Sequence, residues 1–95
     1  MDVYLVIIGK TATGYSAHSP DVPGCAAVGK TVEKVMQNMK EALELHFEGM
    51  VEDGDPIPRP GGVNSYREVM KDLHLERYFL AHIQIDTNRF SATVP

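Results

Sequence analysis

Residues 19–25, Ser-Pro-Asp-Val-Pro-Gly-Cys, constrain this chain more than any other stretch. Pro20 and Pro23 each fix φ and remove a backbone donor, so the segment cannot lie inside a helix or a central strand. Gly24 directly follows Pro23, the order wanted by a turn with positive φ. Apolar residues flank the segment on both sides, which makes it a corner between two strands. Gly29 and Lys30 break the second of these, and Thr31 then stands where a helix N-cap belongs. A strand, a rigid corner, a short strand and a capped helix are written into some twenty residues.

Upstream, Val3-Tyr4-Leu5-Val6-Ile7-Ile8 is apolar at every position, the pattern of a strand covered on both faces. One helical layer covers one face only, so the second cover is expected from another subunit. Gly9 to Gly14 reads as a hairpin connection, Tyr15 to Ser19 as an alternating second strand and Cys25 to Val28 as a short third. Thr31 to Asp53 is a long helix. Val32, Met36, Met39, Leu43 and Met50 recur on it at helical spacing, and Val35, Ala42 and Phe47 widen the stripe. At ~1.5 Å per residue it spans roughly 30 Å, enough to cover one face of a small sheet. Gly54 suits its C-terminal cap.

Prolines at 56, 58 and 60 then hold the chain extended along the surface. Ser65 with Glu68 is a capping-box signature opening a short helix to His74. Leu80 to Asp86 is a fourth strand, with Ala81, Ile83 and Ile85 on one face and His82, Gln84 and Asp86 on the other. Residues 87–95 form a tail or an extra strand. The order β-β-β-α-(short α)-β predicts an α+β two-layer sandwich on an antiparallel sheet, a single domain over 1–95.

Ninety-five residues with a formal net charge of −4 build a small core, to which oligomerisation adds burial. Lys and Arg are scattered singly, so the basic footprint of a nucleic-acid binder is missing and no direct nucleic-acid contact is expected. The single cysteine, Cys25, excludes an internal disulfide and agrees with a reducing compartment. No charged leader or long apolar run precedes the first strand, so the chain reads as cytoplasmic, without membrane contact.

Residues that suggest chemistry have plainer readings. Two-metal hydrolysis needs carboxylates that hold two ions about 4 Å apart. Val3 to Ile8 offers none, and Glu41, Glu44 and Asp86 read as solvated positions. His18, Asp21 and Cys25 match no zinc spacing and are one ligand short. Cys25 reads as a small buried apolar residue, and Asp21 as an acceptor of backbone N–H groups in the corner. His46 falls by the apolar face of the long helix as a core or interface residue, and His82 is an exposed strand residue. Gly9-Lys10-Thr11 lacks the glycine-rich approach and following helix of a phosphate loop. The methionine stripe reads as core. No enzyme, catalytic residue, metal or cofactor is expected.

The series Pro20-Asp21-Val22-Pro23-Gly24-Cys25, then Gly29-Lys30-Thr31 with Glu33, then Glu41-Ala42-Leu43, then Ile57-Pro58-Arg59-Pro60, resembles the N-terminal core of HicB-like antitoxins over residues 3–60. The resemblance implies a truncated ribonuclease H-like sheet with one packed helix. It implies a role in binding and sterically silencing a small, basic, messenger-RNA-cleaving toxin (HicA-like) encoded nearby. Contact is expected at Pro20, Asp21, Pro23 and Gly24 of the corner, at Ile57, Pro58 and Pro60 of the loop, and at an exposed sheet edge. Many members carry a C-terminal DNA-binding domain. Nine residues follow Asp86, too few for one, so none is expected here. The doubly apolar first strand predicts a homodimer or larger assembly. The alternatives are a homo-oligomeric ligand-binding or structural domain, and a ribonuclease H-like nuclease.

Overall fold

The computed structural model describes residues 1–72 and 77–91. Strands β1 (Asp2–Lys10), β2 (Tyr15–Ser19), β3 (Val22–Gly29) and β4 (Tyr78–Ile85) form one antiparallel sheet in the order β3-β2-β1-β4. Helix α1 (Val32–Glu52) follows β3, the shorter α2 (Val63–Asp72) precedes β4, and a single turn, α3 (Asn88–Ser91), follows it. The chain is thus an α+β domain built on one four-stranded antiparallel sheet.

Tyr4, Val6 and Ile8 share one face of β1 and are fully buried against α1. On the helix the buried residues are Val35, Met39, Leu43 and Phe47, a seam of four-residue steps. Met36, Ala42 and Met50 flank it, while Val32 is exposed, so the seam lies beside the stripe the spacing suggested. The position of the first turn explains the offset. Thr31 Oγ1 accepts the Lys34 N–H at 3.0 Å, and Gly29 lets the backbone at Val35 press onto β3. The helix ends with Asp53 as C-cap and Gly54 at φ 78°.

The opposite face of β1 corrects an expectation. Leu5 and Ile7 are 3% and 7% exposed within the single chain. Leu5 lies in register with His82, and the Tyr66 hydroxyl of α2 stands 2.7 Å from His82 Nε2 with the rings 5.4 Å apart. Both side chains are thus buried within the single chain, and α2 reaches this face of the sheet through Tyr66 on His82. His82 has a partner there, although it remains exposed to solvent.

Three boundaries move. The tight turn is Pro20-Asp21, with Ser19 facing Val22. Pro23, Gly24 and Cys25 belong to β3 as a bulge: the register runs from His18↔Ala26 to Ser19↔Val22, leaving three residues unmatched. Gly24 takes the positive φ, 85°, inside that bulge rather than in a turn. An edge strand tolerates Pro23 because its N–H can face away from the ladder. Strand β4 begins two residues early because the Tyr78 ring packs over Gly9, where a Cβ would come within 2.6 Å of it. Residues 87–91 are neither a loose tail nor a strand: α3 puts Phe90 into the core against Phe47, rings 5.6 Å apart and edge to face. Residues 73–74 of the anticipated second helix, and 92–95 of the anticipated tail, lie outside the described residues.

Candidate partner-binding site

Where β2 stops pairing, side chains take over the ladder. The register between β1 and β2 covers Ile7 to Lys10 only, so Leu5 is left with backbone groups facing the corner. Ser19 Oγ donates to the Leu5 carbonyl at 2.7 Å, and Asp21 Oδ2 accepts the Leu5 N–H at 3.0 Å. Ser19 Oγ also accepts the Asp21 N–H at 3.2 Å, which closes the turn on itself. Buried backbone groups need partners, and two side chains of the Ser-Pro-Asp turn supply them.

The second oxygen of Asp21 reaches the proline-rich loop. Oδ1 accepts the Gly61 N–H at 3.0 Å and the hydroxyl of Ser65. Ser65 therefore spends its hydroxyl on Asp21 instead of capping α2, which starts earlier, at Val63. Glu68, the other half of the anticipated capping box, pairs on the surface with Lys71 at 3.3 Å. Gly61 carries no Cβ, and one there would run into Ser65 Oγ. The loop has a second anchor in the Tyr4 hydroxyl, which donates to the Pro58 carbonyl at 2.7 Å. Burial, with Asp2 and Asp21 nearby, pushes the Tyr4 phenol up to about 12.

The structure thus brings the two predicted contact segments, some forty residues apart in sequence, to one end of the sheet. Pro20, Pro23 and Gly24 are exposed there, and Asp21, Ile57, Pro58 and Pro60 are half-buried. Beside them opens a cavity of about 670 Å³, with Met1, Tyr4, Val51, Ile57, Arg59 and Phe90 in its wall. The stretch 41–55, which leads into this loop, carries Glu41, Glu44, Glu48, Glu52, Asp53 and Asp55 and no Lys or Arg. Arg89 of α3 meets two of these carboxylates, Glu44 at 2.8 Å and Glu48 at 3.6 Å. The last turn of α1 holds no basic residue, so the negative end of the helix dipole and the acidic side chains add.

Chemistry-bearing residues are not gathered here. Cys25 lies in the core, where burial raises its thiol pKa, and His46 rests half-buried beside Phe47. Among the described residues, no three of His, Cys, Asp and Glu are grouped to hold a metal ion. No helix among them is long and apolar enough to cross a membrane. Sequence reasoning placed Ser19 in the corner and Ser65 at a helix cap but missed their hydrogen bonds with Asp21; nothing local to Ser65 signals a partner so far along the chain.

The family model for the HicB-like antitoxin of bacterial toxin-antitoxin systems matches residues 4–95. The chain belongs to the HicB-like antitoxin family. Among its relatives is a 14.9 kDa protein from the rep-hol intergenic region of Haemophilus phage HP1, 34% identical over 98% of this chain and 73% of the phage protein. Antitoxin HicB of Escherichia coli K12 is 36% identical over 56% of this chain and 38% of its own length. The crystal structure of antitoxin HicB3 superposes with a TM-score of 0.74 at 30% identity, over 88% of this chain and 62% of that one. A chain of the HicA3 and HicB3 toxin-antitoxin complex superposes with a TM-score of 0.70 at 27% identity, over 88% of this chain and 98% of that one. The HicB-like chain described here therefore spans under two thirds of the HicB3 and E. coli HicB lengths.

Proposed function

We propose that this HicB-like chain binds a small, basic, messenger-RNA-cleaving toxin and neutralises it by covering its RNA-binding surface, with no catalysis of its own. The observation that carries the reading is the match to a chain from a HicA3 and HicB3 complex, over nearly all of that chain. The acidic stretch 41–55, running into the loop at 56–60, supports it physically. Such a surface attracts a basic partner, and charge of this kind chiefly raises the association rate. Contact then centres on Pro20, Asp21, Pro23 and Gly24, together with Ile57, Pro58 and Pro60. The rigid turn and prolines keep the ordering cost of binding small.

Co-expression with the product of the adjacent small open reading frame tests the proposal. The expected result is relief of the neighbour's growth arrest and co-purification of the two chains. Unrelieved toxicity with no complex would overturn it.

A further inference from the structure

Beside the proline-rich loop the chain leaves a cavity of about 670 Å³, within the roughly 300–1,000 Å³ usual for binding pockets. Its apolar wall is made by Tyr4 and Phe90, both buried, with Val51 and Ile57 half-buried. Two carboxylates join that wall. Asp2, at the start of β1, is half-buried and held by Thr87, whose hydroxyl donates to Oδ2 at 2.9 Å. Asp55, where the loop begins, is exposed. Helix α1 ends here as well: Val51 and Gly54 line the cavity, and the last turn carries no basic residue. The negative end of a 21-residue helix therefore opens on the same space.

Two arginines stand nearby. Arg89 is taken up by Glu44 and Glu48, while Arg59 is exposed and part of the wall. Their effect is outweighed at Tyr4. Burial acts most strongly on its phenol; after burial, Asp2 and Asp21 push it up, and Arg59, the weakest of the four, pulls it down. The field at this side of the cavity is negative.

We propose that this cavity receives one arginine side chain of the basic partner, with its methylenes along Val51, Ile57 and the two rings and its guanidinium at Asp2 and Asp55. The partner is the toxin of the proposed function, so the cavity rests on that reading and names its anchor. Guanidinium fits better than ammonium. It is more weakly hydrated, stacks on aromatic faces and offers a fork of five donors, which suits two rings and two carboxylates. The Phe90 ring already takes one guanidinium, that of Arg89, 5.1 Å from its centroid. An arginine desolvated in a pocket is the kind of contact that carries most of an interface's affinity, whereas exposed carboxylates such as Glu41 chiefly steer the encounter.

Titration of the full chain with N-acetyl-arginine methylamide, followed by backbone amide NMR shifts, tests the cavity without the toxin. Shifts are expected at Val51, Gly54, Asp55 and Thr87. Binding should be about tenfold or more tighter than that of N-acetyl-leucine methylamide, and the advantage should vanish when Asp2→Asn and Asp55→Asn are combined. Asparagine at position 2 can still accept the Thr87 hydroxyl, so the fold is kept. Equal binding of the two probes, or shifts confined to other faces, would overturn the proposal. In the toxin complex, Asp2→Asn and Asp55→Lys are each expected to raise koff by about tenfold, an effect that persists in about 0.5 M salt because partly buried pairs are poorly screened. Glu41→Lys, outside the cavity, should lower kon at low salt only. A toxin bound and silenced with the same koff by all these variants would overturn the cavity and leave neutralisation standing. Probe binding with no toxin bound would overturn the partner assignment together with the neutralisation reading.

Discussion

Asp21 completes the backbone pairing of Leu5, a residue sixteen positions away, by accepting its N–H at 3.0 Å where β2 has already turned off. The same carboxylate holds Gly61 and Ser65, so one side chain ties β1, the turn, the proline-rich loop and the start of α2 together.

Removing that carboxylate is therefore expected to be costly. Asp21→Ala leaves the Leu5 and Gly61 donors without their acceptor and should lower stability by about 2–4 kcal/mol in urea unfolding. Asp21→Asn, which keeps one acceptor oxygen, should fall between Ala and the wild type. Ser65→Ala, which removes one donor and leaves the other two bonds, should cost about 1 kcal/mol.

Tyr4 makes a pH prediction. The folded chain keeps its phenol protonated up to about 12, against an ordinary value of 10.0. Between these values the unfolded chain binds fewer protons, so stability falls as pH rises. The contribution is fully present below pH 10 and is lost by about pH 12, on the order of 2 kcal/mol. Tyr4→Phe loses the bond to Pro58 but should be less alkali-sensitive over that window than the wild type, measured by chemical unfolding at each pH.

Two glycines are expected to respond in opposite directions. A Cβ at Gly29 would lie 2.5 Å from the Val35 nitrogen and 2.8 Å from its Cα, so Gly29→Ala forces α1 off the sheet. It should cost about 1–3 kcal/mol. Gly49, within α1, has open space around that position, so Gly49→Ala should stabilise the chain by about 0.5–1 kcal/mol. Thermal unfolding of the pair checks both signs.

Phe47 sits between Tyr4 and Phe90, with ring centroids at 5.3 Å and 5.6 Å. Truncating it opens a cavity at the centre of the core. Phe47→Ala is expected to lose about 3–5 kcal/mol, and Phe47→Leu distinctly less. Calorimetric midpoints would rank the two.

Local signals in the sequence account for the elements that were read well. Alternation from Tyr15 to Ser19 marks β2, and Thr31 with Gly54 brackets α1, because caps and periodicity act within a few residues. What escaped depends on distant partners. The positive φ of Gly24 is legible from the Pro-Gly pair, but whether it serves a turn or a bulge is decided by the facing strand. Ser65 carries a valid capping signature that loses to Asp21, forty-four residues upstream. Phe90 is one aromatic in a polar stretch, and its place in the core is set by the edge-to-face contact with Phe47, which local sequence does not show. At the candidate site, the corner and the loop were each legible, while their junction through Asp21 is a tertiary fact.

The proposed neutralisation of a toxin by steric cover bears directly on messenger-RNA cleavage. The most direct measurement is cleavage of a labelled messenger RNA by the purified product of the adjacent small open reading frame, titrated with this chain. Cleavage is expected to fall to nothing near a fixed stoichiometric ratio, and more chain to be needed when Glu52 and Asp55 are both changed to lysine. Undiminished cleavage in the presence of excess folded chain would contradict it.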